Sequence, residues 1–254
     1  MWATLGPVGY RSAPRPGTKP AQGTRPRLGV VAGPLFAVIP AHDESARIGD
    51  VVRGARAHLP VIVVDDGSTD DTATIAMAAG ATVIREVPNQ GKGAALRAGF
   101  GRALALGCEA VITLDADGQH DPAEIPRFLD AWRDGRPALV IGRRDFARMP
   151  LVRRMSNTLG GAVFSWAVGR SVPDNQSGFR LIGRSLVEAL VGSDEAGFEF
   201  EVEMITTAIR RGETIAWVPI STIYAGETSH IRPGAHLSNF VRVARDARRA
   251  VRGR

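Results

Sequence analysis

Ala110-Val111-Ile112-Thr113-Leu114-Asp115-Ala116-Asp117-Gly118-Gln119 passes from a short apolar run straight into two carboxylates two residues apart. A run of this length bounded by turn residues has the pattern of a strand buried on both faces of a parallel sheet. The same transition occurs twice upstream. Leu35–Ile39 runs into Pro40-Ala41-His42-Asp43-Glu44, and Val61–Val64 runs into Asp65-Asp66-Gly67-Ser68.

Between these runs the period changes from that of a strand to that of a helix. Ser45 is positioned to cap a helix to about Ala57, with Ile48, Val51, Val52 and Ala55 on one face. Ser68 or Asp70 would cap another that Gly80 stops, and Gly91–Gly93 opens a third carrying Leu96, Phe100 and Leu104. Asp121 is placed as the cap of a helix from Pro122 to about Trp132. Thr82–Glu86 and Leu139–Gly142 complete a βαβαβ order. That order predicts an α/β fold, a Rossmann-like open and mostly parallel sheet with helices on both faces. Beyond residue 148 the pattern predicts a long helix (Val152–Val168), a strand (Phe179–Ile182) and two helices. Strands near Ile215–Val218 and Thr222–Tyr224 and a basic C-terminal helix follow.

Composition narrows the classes. The 254 residues carry a net charge of +6, but residues 1–33 hold +5 and residues 241–254 another +5, so the middle is acidic at −4. A nucleic-acid groove would show the reverse, and none is expected. Residues 1–33, with five prolines and six glycines, read as a disordered tail; 34–235 read as the folded domain and 236–254 as a basic helix or tail. One cysteine, Cys108, precludes an intrachain disulfide framework and favours a reducing compartment. No apolar run approaches the roughly 18–20 residues of a spanning helix. His120 reads as an exposed loop residue.

In open α/β sheets ligands bind beyond the carboxyl ends of the strands, where all three acidic clusters fall. Asp115 and Asp117 leave the same face of extended chain, and converging carboxylates repel unless a cation lies between them. Mg²⁺ or Mn²⁺ with a bound diphosphate fits, with Gln119 adding an amide oxygen or a water-mediated contact. Asn89-Gln90-Gly91-Lys92-Gly93 resembles a phosphate-binding turn before a helix N-terminus. It is not a Walker A loop, and no G-x-G-x-x-G follows the first strand, which argues against a dinucleotide cofactor.

Pro40-Ala41-His42-Asp43-Glu44, Val64-Asp65-Asp66-Gly67-Ser68-Thr69-Asp70, Gly91-Lys92-Gly93 and Asp115-Ala116-Asp117-Gly118-Gln119, in that order, resemble glycosyltransferase family 2, the inverting GT-A enzymes. The resemblance spans roughly residues 35–232. Gly142-Arg143-Arg144, Gln176-Ser177-Gly178-Phe179-Arg180, and Tyr224 followed by Ser229-His230-Ile231-Arg232-Pro233 look like its dolichyl-phosphate mannosyltransferase and polyprenyl-phosphate glycosyltransferase subgroup.

The resemblance implies roles. Pro40, His42 and Glu44 would line the nucleoside pocket, with His42 standing where the family usually has tyrosine. Asp66 would contact the base, Lys92 the phosphates, and Asp115 with Ala116 the nucleotide or sugar side. Asp115, Asp117 and Gln119 would hold the metal, and Arg143 would approach the donor diphosphate. Thr222 stands where mannosyl-type members often carry a basic residue, a charge that His230 or Arg232 could supply.

An acceptor phosphate is already anionic near neutral pH and needs cations to position it, for which Arg143 and Arg180 are the leading candidates. A hydroxyl acceptor would need a base, for which Asp174 is the candidate; Asp174 can equally orient the Ser177-Gly178-Phe179 turn. The expected partners are a nucleotide-diphospho-sugar of GDP-mannose or UDP-glucose type and a polyprenyl phosphate. The expected location is the cytoplasm, peripherally on the cytoplasmic membrane face in cell-envelope synthesis. Contact there would come through an amphipathic C-terminal helix or a lip around Phe164 and Trp166. A glycan or small-molecule hydroxyl acceptor and a non-catalytic nucleotide-sugar-binding protein are the competing readings.

Overall fold

The computed structural model describes residues 33–145, 151–192 and 199–221, and residues 242, 245, 247–249 and 251 of the last segment. The apolar runs become β1 (Leu35–Ala41), β2 (Val61–Asp66), β3 (Thr82–Glu86), β4 (Ala110–Thr113) and β5 (Leu139–Arg144), followed by β6 (Arg180–Gly183) and β7 (Ile215–Ile220). They form one seven-stranded sheet in the order β3-β2-β1-β4-β6-β5-β7. Every pairing is parallel except those of β6, which runs antiparallel between β4 and β5, with Thr113 opposite Arg180 and Leu139 opposite Ile182. All residues of β2 and β4 are buried, as covering on both faces requires.

The helices are α1 (Ile48–Arg56), α2 (Thr72–Ala78), α3 (Lys92–Ala105), α4 (Ile125–Arg133), α5 (Leu151–Val168), α6 (Arg184–Val191) and α7 (Glu199–Arg210). They divide the core in two. On one face Val38, Val64 and Ile141 meet Leu96 and Phe100 of α3, Leu186 of α6 and Phe200 and Met204 of α7. On the other, Ile39, Val63 and Leu181 meet Val52 of α1, Ala76 of α2 and Phe128 of α4. Phe100 and Phe128 are fully buried, each contributing about 1.5–3 kcal/mol relative to an exposed ring.

The helix entries refine the expected caps. Asp121 does cap the 3-10 turn Pro122–Glu124 that leads into α4, its carboxylate accepting from the Ala123 N–H at 2.9 Å. Ser45 is not the cap of α1: Arg47 precedes the helix, and the Ser45 N–H donates to Asp70 Oδ2 at 3.1 Å. Asp71, not Ser68 or Asp70, precedes α2, although Asp70 Oδ1 accepts the Thr72 N–H at 2.9 Å. Hydrogen bonds from Thr72 and Ser45 hold the Asp70 carboxyl well below the usual carboxylate range.

Described positions of the C-terminal segment are helical; Ala247 is buried, and Val251 packs on the α3/α6/α7 core. Among the described residues no helix is long and apolar enough to cross a membrane. The expected tail, the strand Thr222–Tyr224 and the Ser229–Pro233 motif lie outside the described residues, apart from Gly33 at the end of that tail.

Candidate active site

The carboxyl ends of β1, β2 and β4 bring their loops together. Pro40 remains inside β1, opposite Val64. His42 follows it, exposed, with Nδ1 2.8 Å from the Asp66 carbonyl oxygen. The Asp43 N–H donates to Ser68 Oγ at 3.0 Å and the Glu44 N–H to Thr72 Oγ1 at 2.8 Å, while the Thr69 N–H returns to Asp43 Oδ1 at 2.8 Å. The loops after β1 and β2 are thus one hydrogen-bonded wall, with His42 and Glu44 along its rim.

Asp65 and Asp66 are both buried and point to opposite faces, as neighbours in a strand must. Asp65 Oδ1 accepts from the Ser68 N–H at 3.1 Å, and Oδ2 lies 3.2 Å from Arg85 Nε. Asp66 accepts the Gln90 N–H at 2.7 Å and the Gly91 N–H at 2.8 Å, one on each oxygen. Its geometry therefore fastens the turn that opens α3, a role the base-contact expectation did not include. Gly67, at φ 73°, lets this happen, since a Cβ there would lie 2.8 Å from the Asn89 nitrogen.

That fastening delivers Lys92. Its Nζ lies 2.6 Å from Asp115 Oδ1 at the end of β4 and 2.8 Å from Glu201 Oε1 in α7. Burial opposes a charge on Lys92, but the two carboxylates outweigh it and raise its pKa. Burial likewise works against the Asp115 carboxylate, yet Lys92 and His120 bring it down to about 2. Asp115 is pinned sterically too: a Cβ on Gly178 would lie 2.6 Å from Asp115 Oδ2 and 2.7 Å from Oδ1. Ala116 is buried beside it.

His120, expected as an exposed loop residue, is 5% exposed and packs on the Phe179 ring at 5.3 Å between centroids. Its Nδ1 accepts the Asp115 N–H at 3.3 Å, which places the proton of the neutral ring on Nε2, and burial pushes its pKa down. Nothing in the Gln119-His120-Asp121 string signals this; the ring is covered by a residue 59 positions later.

Asp117 Oδ1 accepts the Gln119 N–H at 2.9 Å, so Gln119 orients this carboxylate through its backbone. Among the described residues no three acidic, histidine or cysteine side chains gather as a ready metal cage. The donor set still fits a hard cation of the Mg²⁺ kind. Such an ion takes one or two carboxylates and completes its oxygen shell from substrate phosphates and water. Asp117 is the oriented carboxylate for it, since Asp115 already faces an ammonium.

Two predicted roles are corrected by packing. Arg180 is fully buried, and its guanidinium donates to the main-chain oxygens of Ser177 at 2.7 Å, Asn175 at 3.0 Å and Glu201. Burial pushes its pKa down to about 10 against the pull of Glu201 and Asp174. It ties the 175–177 turn to α7 and is not presented to an acceptor phosphate. Asp174, also buried, accepts from Arg144 Nε at 2.7 Å, Arg144 Nη2 at 2.9 Å and the Arg144 N–H at 3.3 Å. The Gln176 and Ser177 N–H groups add 3.1 and 3.2 Å contacts to its Oδ1. It orients the turn, one of the two tasks expected of it, and has no open position for a proton-abstracting role.

The arginine that joins the cluster is Arg144, whose charge helps lower the Asp115 carboxyl. Arg143 precedes it in β5, so its side chain leaves the opposite side and stands exposed. Glu201 escaped the sequence reading altogether. The signal was there: it shares a helix face with the buried Ile205 and Ala208 at steps of four and seven residues, and an acid on an apolar stripe calls for a partner.

A family model described as glycosyl transferase family 2 matches residues 36–191. UDP-N-acetylglucosamine–dolichyl-phosphate N-acetylglucosaminyltransferase of Methanococcus voltae is 30% identical, over 75% of this chain and 86% of its own length. Undecaprenyl-phosphate mannosyltransferase of Micrococcus luteus is 29% identical, over 74% and 83%. Among solved structures, glucosyl-3-phosphoglycerate synthase of Mycobacterium tuberculosis with Mn²⁺ and UDP-glucose superposes with a TM-score of 0.64. It is 25% identical, over 83% of this chain and 76% of that one.

Proposed function

The chain belongs to glycosyltransferase family 2, and from that premise we propose that it moves a hexose, with inversion, from a nucleotide-diphospho-sugar to a polyprenyl phosphate. The observation that carries the choice of acceptor is the engagement of Asp174. A hydroxyl acceptor needs a carboxylate to take its proton. The carboxylate best placed in the sequence for that task is closed off by Arg144 and the turn amides. A phosphomonoester arrives ionised and has no such need. The relatives named as dolichyl-phosphate and undecaprenyl-phosphate transferases support the same choice.

The residues divide the work. Pro40, His42, Glu44 and the wall from Asp66 to Thr72 would receive the nucleoside. Asp66 retains lone pairs for a base N–H beyond the two backbone bonds. Asp117, oriented by the Gln119 N–H, would hold a divalent cation together with oxygens of the donor diphosphate. Such a cation, when bound, offsets the charge that develops on the departing nucleoside diphosphate. Lys92 and Asp115 would stand at the pyrophosphate and sugar, fixed in relation to each other by their ion pair. Arg144, held by Asp174 beside Asp115, would provide positive potential for an incoming phosphate.

The direct test supplies purified protein with Mn²⁺, a panel of UDP- and GDP-sugars labelled in the hexose, and polyprenyl phosphate, and follows label into the organic phase. Organic-phase label from one donor is the expected result. Label that enters only soluble hydroxyl or phosphorylated acceptors would overturn the acceptor, and donor turnover with none would overturn the reaction.

A further inference from the structure

The expectation of an amphipathic C-terminal helix on anionic lipid rests on Leu237, Phe240, Val241, Val243 and Ala244, which lie outside the described residues. Among the described positions of this segment, Ala247 and Val251 are packed on the α3/α6/α7 core. On a helix of about 3.6 residues per turn, positions 242, 245 and 249 fall on the face opposite 247 and 251. Arg242, Arg245 and Arg249 are indeed exposed. Arg248, at the flank, places its guanidinium 4.1 Å from the ring centroid of Trp166 on α5. Trp166 is 68% exposed, whereas Phe164, the other aromatic of the expected lip, is fully buried.

We infer that Trp166 and the outward arginine face of the C-terminal helix form a docking surface for a bilayer carrying anionic phospholipid. Charge complementarity favours this occupant: residues 241–254 hold six arginines and one acid. Arginines near an anionic bilayer each add attraction that acts within a Debye length of the surface. An indole is the side chain most at home where headgroups meet acyl chains, and the stacked Arg248 keeps its charge at headgroup level. The helix therefore docks through its charged side while Ala247 and Val251 hold it to the domain. The surface does not depend on the identity of the acceptor, and it can be tested without donor or polyprenol.

The full chain is sedimented with vesicles of phosphatidylcholine alone and of phosphatidylcholine containing phosphatidylglycerol, at low and at high salt. Binding to the anionic vesicles, weakened by salt, is expected. The pair Arg248→Glu with Arg249→Glu should lower the partition coefficient about tenfold or more, and Arg248→Lys with Arg249→Lys should retain most of it. Trp166→Ala should weaken binding several-fold with an unchanged melting temperature. Brominated lipid should quench fluorescence of the wild type and not of Trp166→Phe. Equal binding to both vesicles, no binding, retention by the glutamate pair, or saturable preference for a DNA duplex over vesicles would each overturn the assignment. Unfolding of the glutamate pair would leave the lysine pair, the Trp166 variants and the salt series to decide it.

Discussion

Lys92 and Asp115 lie 2.6 Å apart, joining the first turn of α3 to the end of β4 across the crevice where the sheet ends. Replacing Lys92 by Met removes the partner of two carboxylates, Asp115 and Glu201. Donor turnover should fall about 100-fold or more, equivalent to about 2.7 kcal/mol of transition-state stabilisation. Steady-state kinetics on a folded variant check this, and near-wild-type kcat/KM would remove Lys92 from the site.

The same pair makes acid stability predictable. Asp115 has a folded-state pKa of about 2 against an ordinary 3.8, so the folded state holds its proton less tightly than the unfolded chain. Its contribution is present above about pH 4 and is lost as pH falls through about 2, a change of about 2 kcal/mol. Urea midpoints across that range should drop less steeply for Asp115→Asn than for the wild type. Parallel curves would contradict the pairing.

Gly178 is required by closeness to Asp115, since a Cβ would meet both carboxylate oxygens well inside contact distance. A short side chain already held by Lys92 cannot swing clear without breaking that bond. Gly178→Ala should therefore lower kcat/KM about 10- to 100-fold while costing about 1–2 kcal/mol of stability. A variant with intact kinetics and only reduced stability would show the Asp115 carboxylate to be dispensable at that position.

Asp174→Asn separates the two tasks that residue could perform. Loss of the Arg144 ion pair inside the domain should destabilise by about 3 kcal/mol. As a turn organiser, Asp174 contributes no ionisation to catalysis, so the pH profile of kcat in the surviving enzyme should keep its shape. Disappearance of an acidic limb from that profile would restore Asp174 as a base.

These expectations show where the sequence is readable. Strands β1, β2 and β4 announce themselves because burial on both faces demands an unbroken apolar run, and the acids at their tips follow from that placement. The insertion of β6 between β4 and β5 does not announce itself, because pairing across 67 positions, as between Thr113 and Arg180, leaves no local period. For the same reason the sequence around Arg180 carries no sign of the three carbonyl oxygens, of Ser177, Asn175 and Glu201, that surround its guanidinium. Which of Arg143 and Arg144 faces the cluster depends on the pairing of Arg144 with Asp174, 30 positions away, and no local pattern carries that.

Asp117 offers the sharpest test of metal use. Its Oδ1 is held by the Gln119 N–H, which leaves the carboxylate oriented but short of a full set of protein ligands. Cation and donor should therefore bind together, each supplying oxygens or charge the other lacks. In thermal melts a UDP- or GDP-sugar should raise the melting temperature in the presence of Mn²⁺ and far less without it. At a donor concentration about 100 times Kd the stabilisation would be about 2.7 kcal/mol. Asp117→Ala should abolish that Mn²⁺-dependent rise while leaving the unliganded melting temperature within a few degrees of wild type, because Asp117 lies in the loop beyond β4 and outside the buried core. An Mn²⁺-dependent rise that survives Asp117→Ala would place the cation on other residues, and the division of labour between Asp115 and Asp117 would have to be redrawn.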